Sequence, residues 1–335
     1  NTLIGGLAGD AITTGSYNTA SGYNSLSSNT TADKNVAFGY YALNINTTGA
    51  DNTALGTQAL QLNTTGASNV AVGAYALDAN TTAGDNVAVG HSAGGAITTG
   101  GYNVAIGTNA LKTMTTTTAN VAVGQRALED NTGEQNTALG AHVLRDNTSA
   151  NVNTGVGYFA LAANTTGASN VAVGAYALDA NTTGTRNLAI GRDALGANTT
   201  ASDNVAVGRE ALGTNTTGIK NVATGGYALR YNTTASNNSA FGHQALQANT
   251  TGANNTAVGY QSLLDNTAGY SLSAFGWGSL ANNTTGTDNA ALGVSTLGAN
   301  TTGANNTAVG NYSLDANTTA SNNTAVGYAS LGANT

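Results

Sequence analysis

The chain has 335 residues and a formal net charge of −7, yet only 7% of it is charged, 6% is aromatic, and proline and cysteine are absent. That composition excludes disulfide scaffolds and thiolate metal sites, and with 45 glycines it leaves too few large side chains to fill a thick core. Nine Lys and Arg, scattered singly against sixteen Asp and Glu, make no basic patch for nucleic acid, and no apolar run reaches the ~18 residues of a membrane-spanning helix. The first residue is Asn1, with no initiating Met and no secretory leader, which predicts a processed or partial chain.

Read from the N-terminus, the chain repeats a unit of 17 residues, beginning at Asn1, Asn18, Asn35, Asn52, Asn69, Asn86, Asn103 and Asn120. It resumes at Asn136 and Asn153 and continues every 17 residues to Asn323, so residues 1–335 read as a single repeat array of nineteen units and a 13-residue fragment. The step from Asn120 to Asn136 is 16, because NVAVGQRALEDNTGEQ lacks one residue near its NTG. The same loss explains why NTTGASNVAVGAYALDANTT recurs letter for letter at 63–82 and 164–183, one residue short of six units apart. A deletion accepted there marks positions 13 to 17 as turn.

Within the unit the elements follow in a fixed order. Position 1 is Asn except at Leu272, position 3 is Ala except at Leu3 and Gly155, and position 4 is large and apolar in eighteen of twenty copies. Position 5 is Gly in all twenty copies, and position 9 is Leu except at Gly9 and Gly94. Asn-Thr-Thr-Gly then closes the unit. One apolar pulse at 2 to 4, a glycine stop, a second pulse at 8 and 9 and a polar turn are too short and too β-like for a helical hairpin. Segments such as ALDAN and QRALED fall below the length of a stable helix. The fold expected is all-β, a parallel β-solenoid or β-roll of about twenty coils, one unit per coil. At strand spacing of about 4.7–4.9 Å that makes a rod on the order of 95 Å long. Identical residues then stack in rows, Asn in amide ladders, and the invariant Gly at a corner that needs positive φ or close backbone approach.

Alternation along the strand sends positions 2 and 4 one way and positions 1, 3 and 5 the other, yet both sets are restricted. A strand with one face in water is free on that face. The strand is therefore expected between two packed surfaces, its own coil interior and a neighbouring chain, and the pattern leaves open which face meets which. The sequence also starts in phase and stops in mid-unit without a polar capping unit, which predicts flanking domains or end-to-end stacking into a filament.

NVAVG, NTAVG and NVAIG followed by Ala-Leu resemble the head repeats of trimeric autotransporter adhesins, and NTAVGYQSLLDNTAG and NSAFGHQALQANTTGANNTAVG resemble repeats of phage tail fibres and related bacterial surface proteins. The resemblance covers the whole chain in one short motif. It implies a left-handed β-roll with three chains side by side, although the 17-residue unit is longer than is usual for adhesin heads.

Chemistry is sparse. His91, His142 and His243 sit at positions 6, 7 and 6 of distant coils, so neither a zinc site nor a nucleophile relay is expected. Asp51, Asp85, Asp203 and Asp288 lack the spacing of calcium-loaded β-rolls and read as solvated turns. Glu129 with Asp130, and Arg209 with Glu210, read as isolated pairs at variable sites. No cofactor and no metal is expected. Aromatics are not scattered: Tyr23, Tyr40, Tyr41, Tyr75, Tyr158, Tyr176, Tyr227, Tyr260, Trp277, Tyr312 and Tyr328 all follow the invariant Gly at positions 6 and 7. Such a stripe is read either as a contact surface for sugars or a neighbouring filament, or as a cover for the glycine corner.

Asn-x-Thr occurs at position 12 in Asn29, Asn46, Asn63, Asn80, Asn164, Asn181, Asn198, Asn215, Asn232, Asn249, Asn283, Asn300 and Asn317, which are candidate glycosylation sites. The same residues make a good turn, and that structural reading is preferred. Thr-rich turns raise ice binding, but adjacent threonines point apart rather than onto one flat face. The sequence as a whole predicts a non-enzymatic extracellular fibre, the shaft or head of a phage tail fibre or bacterial surface adhesin. Its expected partner is itself, as trimer or filament, with cell-surface glycan as a further one and no nucleic acid or membrane insertion. The alternatives are an end-to-end solenoid filament and, of another class, a glycan-binding or ice-binding module.

Overall fold

A computed structural model describes residues 1–334, which form twenty three-residue strands and no helix. The chain is an all-β, parallel β-solenoid with one sequence unit per coil. Its contacts divide it into Asn1–Ala168 and Ser169–Thr335. The first unit carries strands from Thr2–Ile4 to Thr154–Val156 and the second from Val171–Val173 to Thr324–Val326. Within each unit successive strands pair in parallel with equal positions opposed, as Val36, Ala37 and Phe38 over Thr53, Ala54 and Leu55, or Ser239, Ala240 and Phe241 over Thr256, Ala257 and Val258.

Strand occupies only positions 2 to 4, but bonding between coils continues around the circumference. Backbone N–H groups at positions 2, 9, 11 and 13 donate to the following coil, as Val36 to Asn52 O (2.8 Å), Leu43 to Ala59 O (2.9 Å), Ile45 to Gln61 O (3.0 Å) and Thr47 to Thr64 O (2.9 Å). Those at 5, 7 and 17 donate to the preceding one, as Gly56 to Phe38 O (2.8 Å), Gln58 to Tyr40 O (2.9 Å) and Asp51 to Asp33 O (3.2 Å). Nearly every part of the coil thus meets the requirement that buried backbone groups be paired. Tight turns join these stretches, with Ala59 N–H donating to Gly56 O (3.3 Å) and Asn63 N–H to Leu60 O (3.2 Å).

The turns require unusual backbone. The invariant Gly has φ between 122° and 142°, a region closed to side chains, and a Cβ on Gly39 would lie 2.5 Å from Gly56 O of the next coil. Both reasons foreseen for this glycine, conformation and close approach, hold together. Positions 7, 9 and 17 are also left-handed without being glycine: Leu at position 9 has φ between 49° and 54°. Each such residue costs about 1–2 kcal/mol, so burial of the leucine and its bond to the next coil must offset the strain.

Position 3 faces inward. Ala37, Ala54, Ala240 and Ala257 are fully buried, together with Ala or Ser at position 8 and Leu at position 9. Position 4 faces outward, which resolves the ambiguity left by the sequence: Phe38 and Leu55 in the first unit and Phe241 and Leu292 in the second are exposed. The interior is completed by buried asparagines. At position 12, Asn46 Nδ2 donates to Asn29 Oδ1 (3.0 Å) of the preceding coil and to Gly49 O (2.8 Å) of its own. At position 1, Asn35 Nδ2 donates to the same Gly49 O (2.9 Å) while its Oδ1 accepts the N–H of Asn52 (3.0 Å). The expected ladders therefore exist, one running amide to amide and the other alternating amide with backbone.

Irregular coils show how volume is conserved. Where position 9 is Gly94 instead of Leu, position 12 is Ile97 instead of Asn, and a Cβ on Gly94 would lie 2.9 Å from Ile97 Cδ1. The isoleucine fills the leucine's space, and Asn80 Oδ1, whose next amide it replaces, is left buried without a partner. The short coil lost its residue in the turn, as expected: Asn131 Nδ2 reaches Gly133 O (2.8 Å) two residues on instead of three. Gly133 N–H bonds Asn131 Oδ1 (3.1 Å) in return.

Ile97→Asn alone should cost about 2–4 kcal/mol through lost burial and a cavity, and Gly94→Leu alone about 1–3 kcal/mol through overpacking. The double variant should recover most of the lost stability, because the amide introduced by Ile97→Asn would supply a donor to Asn80 Oδ1, while its own Oδ1 would face Met114, the buried position-12 residue of the next coil. Urea unfolding of all four proteins should give a coupling of at least ~2 kcal/mol, and additive losses would refute the exchange.

Candidate functional site

The variable positions 6 and 7 follow the glycine corner, where the position-7 N–H is tied to the carbonyl of the coil before it, as Tyr41 N–H to Tyr23 O (3.0 Å). This places the side chains of consecutive coils above one another at ring-stacking distance. In the first unit Tyr23 stacks on Tyr40 with centroids 5.9 Å apart and planes at 15°, and Tyr40 meets Tyr41 edge-on at 4.5 Å. Tyr75 meets His91 at 5.7 Å, and His142, Tyr158 and Phe159 form a third group, with His142 stacked on Phe159 at 4.7 Å. In the second unit Tyr227, His243 and Tyr260 stand in series at 5.6 and 5.8 Å, and Tyr312 meets Tyr328 at 5.9 Å. Tyr176 and Trp277 lie on the same edge, exposed.

The stripe expected from the sequence is present as separate clusters that largely stack on themselves. Edge-to-face and offset pairs of this kind contribute about 0.5–1.5 kcal/mol beyond area burial, so covering the glycine corner accounts for part of the tyrosine preference. The histidines belong to these clusters. They occupy the same two slots as the tyrosines, a signal available in the repeat register once ring contacts are considered in place of metal ligation. Among the described residues no group of three or more His, Asp or Glu is arranged to hold a metal ion.

The thirteen asparagines that the sequence offers as possible glycan acceptors, with the turn as the preferred reading, are enclosed by the coil. Asn29, Asn46, Asn63, Asn80, Asn164, Asn181, Asn198, Asn215, Asn232, Asn249, Asn283, Asn300 and Asn317 are all fully buried. Their Nδ2 groups are donors inside the coil, as Asn249 to Asn232 Oδ1 (3.0 Å) and to Gly252 O (2.9 Å). A transferase needs the amide nitrogen exposed, so the folded chain offers none of them. The neighbouring threonine is also engaged: Thr47 Oγ1 donates to Thr64 O (2.9 Å) and Thr284 Oγ1 to Thr301 O (3.0 Å), which adds a hydroxyl row to the stack.

Charged groups are few, and several of them pair along the stack. Glu129 sits 3.6 Å from Arg126 and 4.0 Å from Lys112. Arg186 grips Asp203 of the next coil through two bonds, of 2.7 and 3.1 Å, and this hydrogen bonding holds the Asp203 carboxyl below its ordinary range. Arg209 and Glu210, read as an isolated pair, belong to a larger group with Arg192 and Arg230. Its signal was visible as Arg192-Asp193 and Arg209-Glu210 in the same two slots of successive coils. Asp78 and Asp179, at position 10 of the duplicated stretch, are pushed upward by burial, against the lowering effect of their backbone hydrogen bonds.

Comparison with protein-family models and with curated proteins finds no match.

An acid whose folded pKa is raised favours the fold when protonated, so its contribution is full below the unfolded pKa and is lost as pH rises through the folded value. Replacing both Asp78 and Asp179 by Asn should therefore raise the melting temperature at neutral pH. The gain should vanish near pH ~3, where the native carboxyls are protonated as well. A gain that persists unchanged at that pH would assign it to the amide's own hydrogen bonds instead.

Proposed function

We propose that the chain is a non-enzymatic structural segment of an extracellular fibre, the shaft or head of a phage tail fibre or bacterial surface adhesin, in which copies of the chain lie side by side as a trimer. The observation that carries the reading is the outer face of the strands. A solvated sheet face is normally polar, yet position 4 presents Phe38, Leu55, Ile106 and Leu139 in one unit and Ile190, Phe241, Phe275 and Leu292 in the other, each 37–51% exposed. Contiguous exposed apolar area of this kind marks an interaction surface. The interior of each coil is already closed by alanine, leucine and asparagine, so this second apolar face has no use within the coil. A second copy carries the same face with the same spacing, which makes self-association the simplest way to bury it.

The resemblance of NVAVG and NTAVG to adhesin-head and tail-fibre repeats supports the number three and the extracellular setting.

Sedimentation equilibrium tests this directly. The intact chain should behave as roughly three times 32.9 kDa at micromolar concentration. Phe275→Lys with Leu292→Lys should reduce that mass while the far-ultraviolet circular dichroism stays unchanged. A well-behaved 32.9 kDa species of the unaltered chain would refute side-by-side assembly, and mass growing without limit would replace the trimer with an end-to-end filament.

A further inference from the structure

Trp277 is the chain's one tryptophan and the exception to the self-stacking of the aromatic edge. Tyr260, at the same position of the preceding coil, pairs with His243 at 5.8 Å, and Tyr312 pairs with Tyr328 at 5.9 Å. Among the described residues Trp277 has no ring partner, and it is 52% exposed. It walls a shallow recess of about 380 Å³ instead, bounded also by Tyr312 from two coils further on, about 9.5 Å along the stack. That volume falls within the roughly 300–1,000 Å³ of small-molecule sites.

The floor is open because small residues stand where flanking coils carry longer ones. Position 7 is Gly278 and then Ser295, between Gln261 and Tyr312, and position 10 is Ala281 and then Gly298, between Leu264 and Asp315. The backbone does not demand glycine at 278. Its φ of 62° is the left-handed value that Gln261 and Tyr312 also adopt, at 55° and 59°, and an added Cβ would meet only Ser295 Oγ at 3.5 Å. Asn282 N–H donates to Gly298 O (3.2 Å) and Gly278 N–H to Tyr260 O (3.1 Å), which ties the floor between coils. Four polar side chains surround it, Gln261, Asn282, Ser295 and Asp315, and Gln261 Nε2 is held by Gln244 Oε1 at 2.9 Å.

We propose that this recess binds a neutral pyranose whose ring substituents are all equatorial, as in a β-glucosyl chain. Asp315 is the one ionisable group of the lining that carries charge at neutral pH, and no Lys or Arg belongs to it, so an anionic ligand is disfavoured. Sugar hydroxyls suit the set: the carboxylate accepts from two adjacent hydroxyls, while the amides of Gln261 and Asn282 and the Ser295 hydroxyl both donate and accept. The indole and the phenol offer apolar rings at two sides of the recess. A pyranose presents C–H groups on both of its faces only when its hydroxyls are equatorial; an axial hydroxyl sets a polar group against one ring. An alkylammonium ion, which Trp, Tyr and a carboxylate also attract, has no use for the three neutral polar side chains. The recess lies on the edge formed by positions 6 to 11 and not on the apolar position-4 face, so the assignment does not depend on side-by-side assembly.

Titration of the intact chain with cellotriose tests it, read by the fluorescence of the single tryptophan and by calorimetry, with β-linked galactotriose and choline as parallel probes. A saturable change in Trp277 emission is expected with cellotriose, unaltered by ~0.5 M NaCl because no ion pair forms. The other two probes should bind at least about tenfold more weakly. By calorimetry, Trp277→Ala and Gly278→Gln should each weaken cellotriose binding about tenfold or more. Tyr102→Ala, which removes an exposed ring at a turn outside the recess, should leave it intact. Melting curves establish that each variant is folded; should Gly278→Gln fail to fold, the exposed Trp277→Ala decides. Absence of saturable binding at tens of millimolar cellotriose, equal binding by folded Trp277→Ala, a matching loss in Tyr102→Ala, or equal or tighter binding of galactotriose or choline would overturn the assignment.

Discussion

One carbonyl per coil organises this protein. The position-15 carbonyl, Gly49 O in the third coil and Gly252 O in the fifteenth, receives Nδ2 donors from two asparagines at once, one from the strand side and one from the opposite turn. It ties together the two sides of a coil whose interior typically holds one leucine and otherwise small or polar side chains. In such an interior an unpaired amide is costly and a fully paired network is rigid and specifying. The composition follows from this: beside the one leucine of a typical coil, asparagine takes the place that further large apolar side chains hold in a thicker fold, and it can do so only where neighbouring coils present their amides at the same height. Where the row is broken at Ile97, the orphaned Asn80 Oδ1 records the cost, and the coupled loss of a leucine at Gly94 records the compensation.

Backbone strain is distributed in the same regular way. Each typical coil holds a glycine near φ 130° and three further residues in the left-handed region, among them a leucine and, at Val152, a β-branched residue that strongly disfavours it. No single coil can sustain this against solvent. Stacking does, because the N–H groups of the left-handed residues at positions 7, 9 and 17 are among the donors that reach the adjacent coils. Stability is then a sum of nearly identical neighbour terms, as in other repeat arrays. The deletion in the coil beginning at Asn120 is accommodated because it falls in the turn, and the register of Val121 over Thr137 is kept across it.

With the interior and the strand register determined by these demands, chemical variety is confined to what points outward. Position 4 is apolar and exposed, a face suited to another copy of the chain. Positions 6, 7, 10 and 11 carry most of the aromatic and charged residues, the turn at positions 15 to 17 carries many of the rest, and stacking at strand spacing turns isolated substitutions into vertical clusters. Tyr23 and Tyr40, or Arg192 and Arg209, are each unremarkable in their own coil and become a surface only because a coil repeat sets them one above the other. In this arrangement the scaffold and the recognition surface are separable, and the edge can change without disturbing the amide ladders.

The repeat length, the parallel solenoid, the glycine corner, the asparagine ladders and the location of the deletion were all legible in the sequence. Each is a local demand repeated twenty times, so its pattern stands out in the residues themselves. Other features came only from the tertiary structure. Which strand face is inside depended on closure of the coil, since Ala at position 3 and Val or Phe at position 4 are equally restricted in sequence. The burial of Asn29 and its counterparts, which removes them as glycan acceptors, depended on the turn folding inward; the tripeptide itself reads the same on a surface. The Arg192, Glu210 and Arg230 group escaped a reading along the chain because its members lie 18 and 20 residues apart and meet only when the coils are stacked. Sequence periodicity specifies a repeat and its register, but which side chains are enclosed and which meet across coils is decided when the backbone closes and stacks.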